Sequence, residues 1–176
     1  AREPKDVAEN SAVVIRSHGV GPQVYRQLNE KNCRIIEGTC PFVAKALRLA
    51  QKNVSEGYHI LILGDPEHAE VQGYMQWLAG NCTVVSDVEA DLAALDLPEK
   101  ISVIAQTTEN MDRLQALEDK LRSLGREPLV HSTICNASQQ RRQAAELLAR
   151  QADLVLVIGG KHSANTTKLG EYCRRI

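Results

Sequence analysis

Short runs rich in Val and Ile alternate with longer amphipathic stretches along the chain, and this alternation restricts the possible folds more than any other feature. It is typical of βα units around a parallel sheet, because buried strands appear as short apolar runs and their covering helices show a longer period. Seven runs are predicted strands: Ala12–Ile15, Arg34–Ile36, His59–Leu63, Thr83–Val85, Ser102–Ala105, Leu129–His131 and Leu154–Ile158. The predicted class is α/β, with small parallel sheets flanked by helices.

Four of the intervening stretches are predicted helices: Pro41–Val54, Val71–Leu78, Met111–Ser123 and Ser138–Gln151. The third shows the helical period clearly, with leucines at positions 114, 117 and 121. Gly125 follows it as the predicted C-cap.

The length and composition allow one ordinary core or two small ones. The chain has 176 residues, of which 43% are hydrophobic and only 3% aromatic, so aliphatic side chains must supply the packing. Candidate domain boundaries lie near residues 39–41 and 127–132. They divide the sequence into a partial first lobe (1–40), a complete middle lobe (41–131) and a partial third lobe (132–176).

The charge balance and the absence of a long apolar stretch exclude several classes of partner. The 21 basic residues nearly cancel the 22 acidic ones, which disfavours nonspecific binding to nucleic acid or to an anionic membrane. No apolar run approaches the roughly 20 residues that span a bilayer, and residues 1–9 are too charged for a signal peptide. We therefore expect a cytoplasmic protein without a nucleic-acid or membrane partner.

Polar and ligating residues follow most of the predicted strands, whereas ordinary charged and turn residues precede them. Ligands of open parallel sheets bind beyond the carboxyl ends of the strands, so one functional face is predicted there. The segments concerned are 17–19, 38–40, 64–70, 106–108, 132–136 and 159–165.

Cys40 and Cys135 are the candidate metal ligands. Each follows a predicted strand and precedes a predicted helix, where the helix dipole favours the thiolate that metals require. The alternative is that each is a small buried hydrophobic residue. A role as a small buried hydrophobic residue is favoured for Cys33, Cys82 and Cys173. A zinc ribbon is not predicted, because the sequence contains no CxxC pair.

Two histidines and two other polar residues on this face could bind a diphosphate without a large basic patch: His18, His68, Ser163 and Asn165. From their positions alone, Glu70 and Thr107 could each have only the structural role of a helix cap. Lys161 resembles the lysine of a phosphate loop, but its surroundings lack the rest of a Walker A sequence.

Six motifs in a fixed order, between about Val13 and Leu169, resemble the LytB/IspH family. They are Ser17-His18-Gly19-Val20, Thr39-Cys40-Pro41, His68-Ala69-Glu70-Val71-Gln72-Gly73, Gln106-Thr107-Thr108, Thr133-Ile134-Cys135 and Gly160-Lys161-His162-Ser163-Ala164-Asn165. The resemblance implies α/β lobes around a central cleft that holds a 4Fe–4S cluster with three cysteine ligands. Cys40 and Cys135 match two of those ligands.

The implied reaction is the last step of the methylerythritol phosphate pathway. It reduces 4-hydroxy-3-methylbut-2-enyl diphosphate to isopentenyl and dimethylallyl diphosphate, with electrons from a ferredoxin or flavodoxin. By motif position, Glu70 is the proton source and Thr107 orients the substrate and relays the proton. The implied substrate-binding residues are His18, His68, Gln106, Thr107, Thr108, Ser163 and Asn165.

The sequence departs from the family pattern at two places. Ala164 stands where many members have a second serine, a loss that Thr166 could cover. The family's first cysteine motif and another histidine would lie upstream of Ala1, and a further serine downstream of Ile176. Two alternatives remain open: a metal-free α/β module that binds a phosphorylated small molecule, and a zinc site formed by Cys40, Cys135 and one histidine.

With two of the three thiolate ligands, the 176-residue chain alone is expected to hold no intact 4Fe–4S centre and to be inactive. Anaerobic reconstitution with iron and sulfide tests this expectation. A stable 4Fe–4S absorbance accompanied by turnover would contradict it.

Overall fold

A computed structural model of the chain describes residues 3–88, 92, 95–160 and 163–176. The chain divides into two compact units, Ala1–Thr133 and Ile134–Ile176. The three-lobe division with boundaries after residues 40 and 131 stays a prediction.

The first unit begins with a parallel sheet of two strands. β1 (Ala12–Val14) and β2 (Arg34–Ile36) pair side by side, and α1 (Pro22–Glu30) connects them. This βα unit has its own small buried core, which includes Ile15, Leu28 and Cys33.

A larger sheet of four parallel strands follows in the same unit. Its strands, in the spatial order β4-β3-β5-β6, are β3 (His59–Leu63), β4 (Cys82–Val85), β5 (Ile101–Ala105) and β6 (Leu129–Val130). The helices of this part are α2 (Pro41–Ser55), α3 (Ala69–Leu78) and α4 (Met111–Ser123). In the register of β3 and β5, Leu63 lies opposite Ala105, so the chain leaves both central strands at the same edge of the sheet.

The main core lies where α2 and α3 cover the central strands. Every residue of β5 and the last four of β3 are buried, as expected for parallel strands that are covered on both faces. The core is aliphatic apart from one tyrosine and consists of Val43, Ala46, Ala50, Ile60, Ile62, Val71, Tyr74, Leu78 and Ile104.

The end of α4 follows the sequence prediction. Gly125 adopts a φ of 73°, its N–H donates to the carbonyl of Arg122, and the N–H of Arg126 donates to the carbonyl of Leu121. These two bonds define a Schellman motif, in which glycine tolerates the left-handed conformation best. The helix therefore ends at the predicted place, with Leu124 as the C-cap and Gly125 as the left-handed residue that follows it.

The second unit consists of α5 (Asn136–Gln151) and α6 (Ala164–Arg174), which pack on each other. The guanidinium of Arg142 lies 4.2 Å from the centre of the Tyr172 ring and joins the two helices. Within the described residues of the chain, no helix is long and apolar enough to cross a membrane.

Six of the seven predicted strands are confirmed with ends within one residue, and the four predicted helices with ends within two. The prediction of a strand at Leu154–Ile158 is wrong. That segment has no regular structure, and Ile158 is 92% exposed. A strand needs a neighbour to pair with, and the described part of the second unit contains none.

We expect Gly38→Ala to lower the free energy of unfolding by about 1–3 kcal/mol, because a Cβ at this position would overlap the backbone carbonyl oxygen of Ile15. Urea unfolding of the two proteins measures the difference. Gly73→Ala is the matched control, because its Cβ would meet nothing closer than the His18 carbonyl oxygen at 3.8 Å. Equal stability of the two variants would contradict the prediction.

Candidate functional site

The side chain of Gln106 forms hydrogen bonds at the edge of the sheet where β3 and β5 end. Its Oε1 accepts a hydrogen bond from the N–H of Asp65 at 3.0 Å, and its Nε2 donates to Oγ1 of Thr108 at 3.0 Å. A Cβ at Gly64 would lie 2.9 Å from this side chain, which explains the glycine after β3. The buried Gln106 amide therefore joins the two strand ends, and its predicted contact with substrate stays a prediction.

His68 is the N-cap of α3. Its Nδ1 accepts a hydrogen bond from the N–H of Glu70 at 3.2 Å. Because Nδ1 acts as an acceptor, a neutral His68 carries its proton on Nε2. The ring is half-buried and presents that donor group away from the helix end.

Glu70 is buried, with 1% of its surface exposed, and its two carboxylate oxygens have different partners. Oε1 accepts from the Tyr74 hydroxyl at 3.0 Å and from the N–H of Thr107 at 2.7 Å. Oε2 accepts from the Thr107 hydroxyl at 2.7 Å. No lysine or arginine among the described residues forms an ion pair with Glu70. These three contacts give both oxygens of the buried carboxyl group a hydrogen-bond partner.

His18 lies beside His68, with ring centres 5.1 Å apart and the rings perpendicular. Partial burial lowers the pKa of His18, and the nearby His68 and Arg16 lower it further, against a smaller opposing effect of Glu70. The turn that carries His18 is fastened to α3, because Nε1 of Trp77 donates to the carbonyl of Val20 at 2.8 Å.

Cys40 lies at the start of α2, next to the turn that carries His18. Its N–H donates to the Ser17 carbonyl at 2.9 Å, and its free thiol is half-buried. Cys135 occupies the equivalent position at the start of α5 in the second unit and is buried. In the residues that the structure describes, no group of three or more His, Cys, Asp or Glu side chains could hold a metal ion.

Ser163 and Asn165 lie at the start of α6 in the second unit. Ser163 is the N-cap, and its Oγ accepts from the N–H of Thr166 at 3.4 Å, which leaves its own O–H able to donate. Asn165 is exposed. The hydroxyl of Thr166 packs against Gly159, where any Cβ would overlap it. Lys161 lies outside the described residues.

The first unit thus brings together seven of the ten predicted site residues: His18, Cys40, His68, Glu70, Gln106, Thr107 and Thr108. The second unit holds Cys135, Ser163 and Asn165. Tyr74 is a site residue that was not predicted, although its position four residues after Glu70 on a helix was a signal that the two side chains could meet.

Thr133 has a structural role that the sequence also did not indicate. Its Oγ1 accepts from the N–H of Ala105 at 2.9 Å and donates to the carbonyl of Ala105 at 2.6 Å. This side chain therefore takes the place of a paired strand beyond the end of β6, and it fixes the end of β5 next to Gln106.

A sequence model of the family described as LytB protein matches residues 2–176. The chain belongs to this family. It is 41% identical over 172 residues to a protein of a Nitratiruptor species named 4-hydroxy-3-methylbut-2-enyl diphosphate reductase, covering 98% of this chain and 62% of that protein. A protein of the same name from Clostridium tetani is 40% identical over 169 residues, covering 94% of this chain and 26% of that protein.

A solved structure of the same enzyme class is also similar. It is the E-1-hydroxy-2-methyl-but-2-enyl-4-diphosphate reductase of Plasmodium falciparum, with a TM-score of 0.85 and 28% identity, over 99% of this chain and 56% of that one. The chain therefore spans about 60% or less of the length of these relatives.

We expect His68→Asn to raise the pKa of His18, because asparagine can keep the helix cap but cannot repel a proton on the neighbouring ring. The pKa should stay below 6.5, because burial is the largest cause of its lowering. Histidine NMR titrations of the two proteins measure the change.

The lowered pKa also gives the sign of the effect on stability. The folded protein binds this proton less tightly than the unfolded chain, so His18 reduces the free energy of unfolding as the pH falls below 6.5. Replacing His18 with Asn should remove that part of the pH dependence. An unchanged His18 pKa in His68→Asn would contradict the assigned repulsion.

Proposed function

We propose that this chain carries the proton-delivering and diphosphate-binding residues of a 4-hydroxy-3-methylbut-2-enyl diphosphate reductase, which forms isopentenyl and dimethylallyl diphosphate. The observation that carries the proposal is the buried Glu70 carboxylate, which accepts hydrogen bonds from both the N–H and the hydroxyl of Thr107. Family membership over residues 2–176 supports the assignment to this substrate.

The reaction requires an acid beside the substrate hydroxyl. Breaking an alcohol C–O bond expels hydroxide, a poor leaving group, unless a proton arrives in the transition state. A proton on Oε2 of Glu70 passes to Oγ1 of Thr107, while the proton of the Thr107 hydroxyl passes to the substrate oxygen. The oxygen leaves as water, Thr107 is neutral again, and Glu70 ends as the carboxylate. A hydroxyl suits this role because it accepts and donates at the same time.

The donor set agrees with an iron-sulfur cofactor. Cys40 and Cys135 are free thiols at helix starts, and thiolates are the usual ligands of such clusters. In this proposal they are two of the ligands of a 4Fe–4S cluster, which when bound supplies the two electrons and a Lewis acid for the substrate hydroxyl. The position of Cys40 beside the His18 turn supports a metal site close to the diphosphate site.

The diphosphate is held by neutral donors more than by fixed cations. His68 offers its Nε2–H, Ser163 offers a hydroxyl and Asn165 offers an amide, while His18 becomes a stronger donor when an anion favours its protonation. This remote binding energy holds the reacting carbon in place for the proton transfer. Gln106 and Thr108 complete the substrate side of the proposed site.

The electron donor that we propose is a ferredoxin or flavodoxin, and the proposed location is the cytoplasm. The electron donor and the three lobes around the cleft rest on the family resemblance, whereas the location rests on the sequence composition. A metal-free binding module would give no reason to bury a carboxylate next to a threonine hydroxyl. Iron and acid-labile sulfide analysis of the complete protein after anaerobic purification separates the two functions, because the module would contain neither.

In the complete protein, Glu70→Gln should leave the cluster content unchanged and lower kcat by about 10²–10⁴-fold, the usual contribution of a general acid. Turnover with a chemical reductant and cluster spectroscopy measure the two effects. Glu67→Gln is the matched control, because Glu67 lies three residues before Glu70 but is exposed, and full activity is expected. Unaltered turnover in Glu70→Gln would defeat the assignment of Glu70 as the acid.

A further inference from the structure

Tyr74 is the only phenol among the described residues that reaches a buried carboxylate, and the sequence motifs do not include it as a functional residue. Only 1% of its surface is exposed, and its hydroxyl lies 3.0 Å from Oε1 of Glu70, one helical turn earlier on α3. The same hydroxyl lies 3.5 Å from the carbonyl oxygen of Val43 on α2. Because a phenol has one proton to donate, the shorter contact to Glu70 is the hydrogen bond, and the Val43 carbonyl is a neighbouring group.

The two oxygens of Glu70 are made chemically different by these contacts. Oε1 accepts from the Tyr74 hydroxyl and from the N–H of Thr107, and a backbone N–H can donate but never accept. Oε2 has the Thr107 hydroxyl as its partner, which can turn and accept. A transferable proton is therefore favoured on Oε2, the oxygen that faces the relay.

We propose that Tyr74 is a positioning residue whose hydroxyl holds Oε1 of Glu70, so that Oε2 stays directed at the Thr107 hydroxyl. The inference rests on the proposed function, since it concerns the same proton relay. Burial, Glu70 and Cys40 all raise the pKa of Tyr74, so the phenol keeps the proton with which it donates. Without that donor only the two Thr107 contacts hold the carboxyl group, which can then rotate about its last bond and lengthen those contacts.

The chain contains a matched arrangement on its surface. The Tyr25 hydroxyl donates to Oε2 of Glu37 at 2.6 Å, and the N–H of Thr39 donates to Oε1 of Glu37 at 2.9 Å. This trio of tyrosine, glutamate and threonine N–H has the same chemistry, but Glu37 is exposed. Tyr25→Phe is therefore the control for Tyr74→Phe, since both substitutions remove one phenol hydroxyl and keep the ring.

The first test uses NMR of the 176-residue chain and needs no activity. In Tyr74→Phe, the amide proton of Thr107 should move upfield, because its short bond to Oε1 loosens when the carboxylate is free to rotate. In Tyr25→Phe, the Thr39 amide should move and the Thr107 amide should not. An unmoved Thr107 amide in Tyr74→Phe would overturn the proposal.

A second measurement uses the wild-type chain, so it remains decisive even if the Tyr74→Phe variant does not fold. In the wild-type chain, the Tyr74 hydroxyl proton is shielded from water and should give a slowly exchanging signal with a nuclear Overhauser effect to the Thr107 amide. Both protons point at Oε1, so they must lie close together. Absence of this effect in the wild type would overturn the proposal without any substitution.

The third test is kinetic and uses the complete protein. Tyr74→Phe should lower kcat about tenfold with unchanged KM, because positioning of the acid is lost and the diphosphate contacts are not. In the Glu70→Gln background, Tyr74→Phe should add no further loss, and Tyr25→Phe should keep full activity. A raised KM with unchanged kcat, or an equal loss in both backgrounds, would overturn the proposal. If the complete protein has no reductase activity, the proposed function fails, while the NMR measurements still decide the role of Tyr74.

Discussion

The candidate site depends on one buried carboxylate that lies where two parallel strands end. Burying a carboxyl group costs free energy unless hydrogen-bond partners replace its hydration. Three hydrogen bonds supply those partners to Glu70. Two of those bonds come from Thr107, so they exist only while the register of β3 and β5 keeps Leu63 opposite Ala105. The geometry of the acid therefore depends on the register of the sheet.

Much of this arrangement could be predicted from the sequence, because it follows from periodicity. Parallel strands that are buried on both faces appear as short apolar runs, and the residues after them must meet at one edge of the sheet. That reasoning located β3, β5 and the polar segments that follow them, including His68, Glu70 and Thr107. The start and end of α4 were also predictable, because its leucine period and Gly125 are local signals.

The features that could not be predicted depend on partners that lie far apart in the sequence. Leu154–Ile158 has the composition of a buried strand, but pairing decides whether a strand forms, and composition carries no information about the partner. Gln106 also joins the two strand ends, because its amide accepts from the N–H of Asp65 and donates to the hydroxyl of Thr108, and its motif did not indicate these contacts. For Tyr74, helical spacing made contact with Glu70 possible, but only the packing of α3 against α2 places the phenol in the core.

The histidine pair explains how a nearly neutral protein could bind a diphosphate. Fixed lysines or arginines beside a buried carboxylate would pair with Glu70 and compete with the Thr107 hydroxyl for Oε2. The two rings do not form such a pair, because burial, the neighbouring His68 and Arg16 lower the pKa of His18 and favour its neutral form. An anion at the same rings acts in the opposite sense and favours the protonated form. In the proposed diphosphate site, protonation of His18 would then add positive charge next to the phosphate groups when they bind.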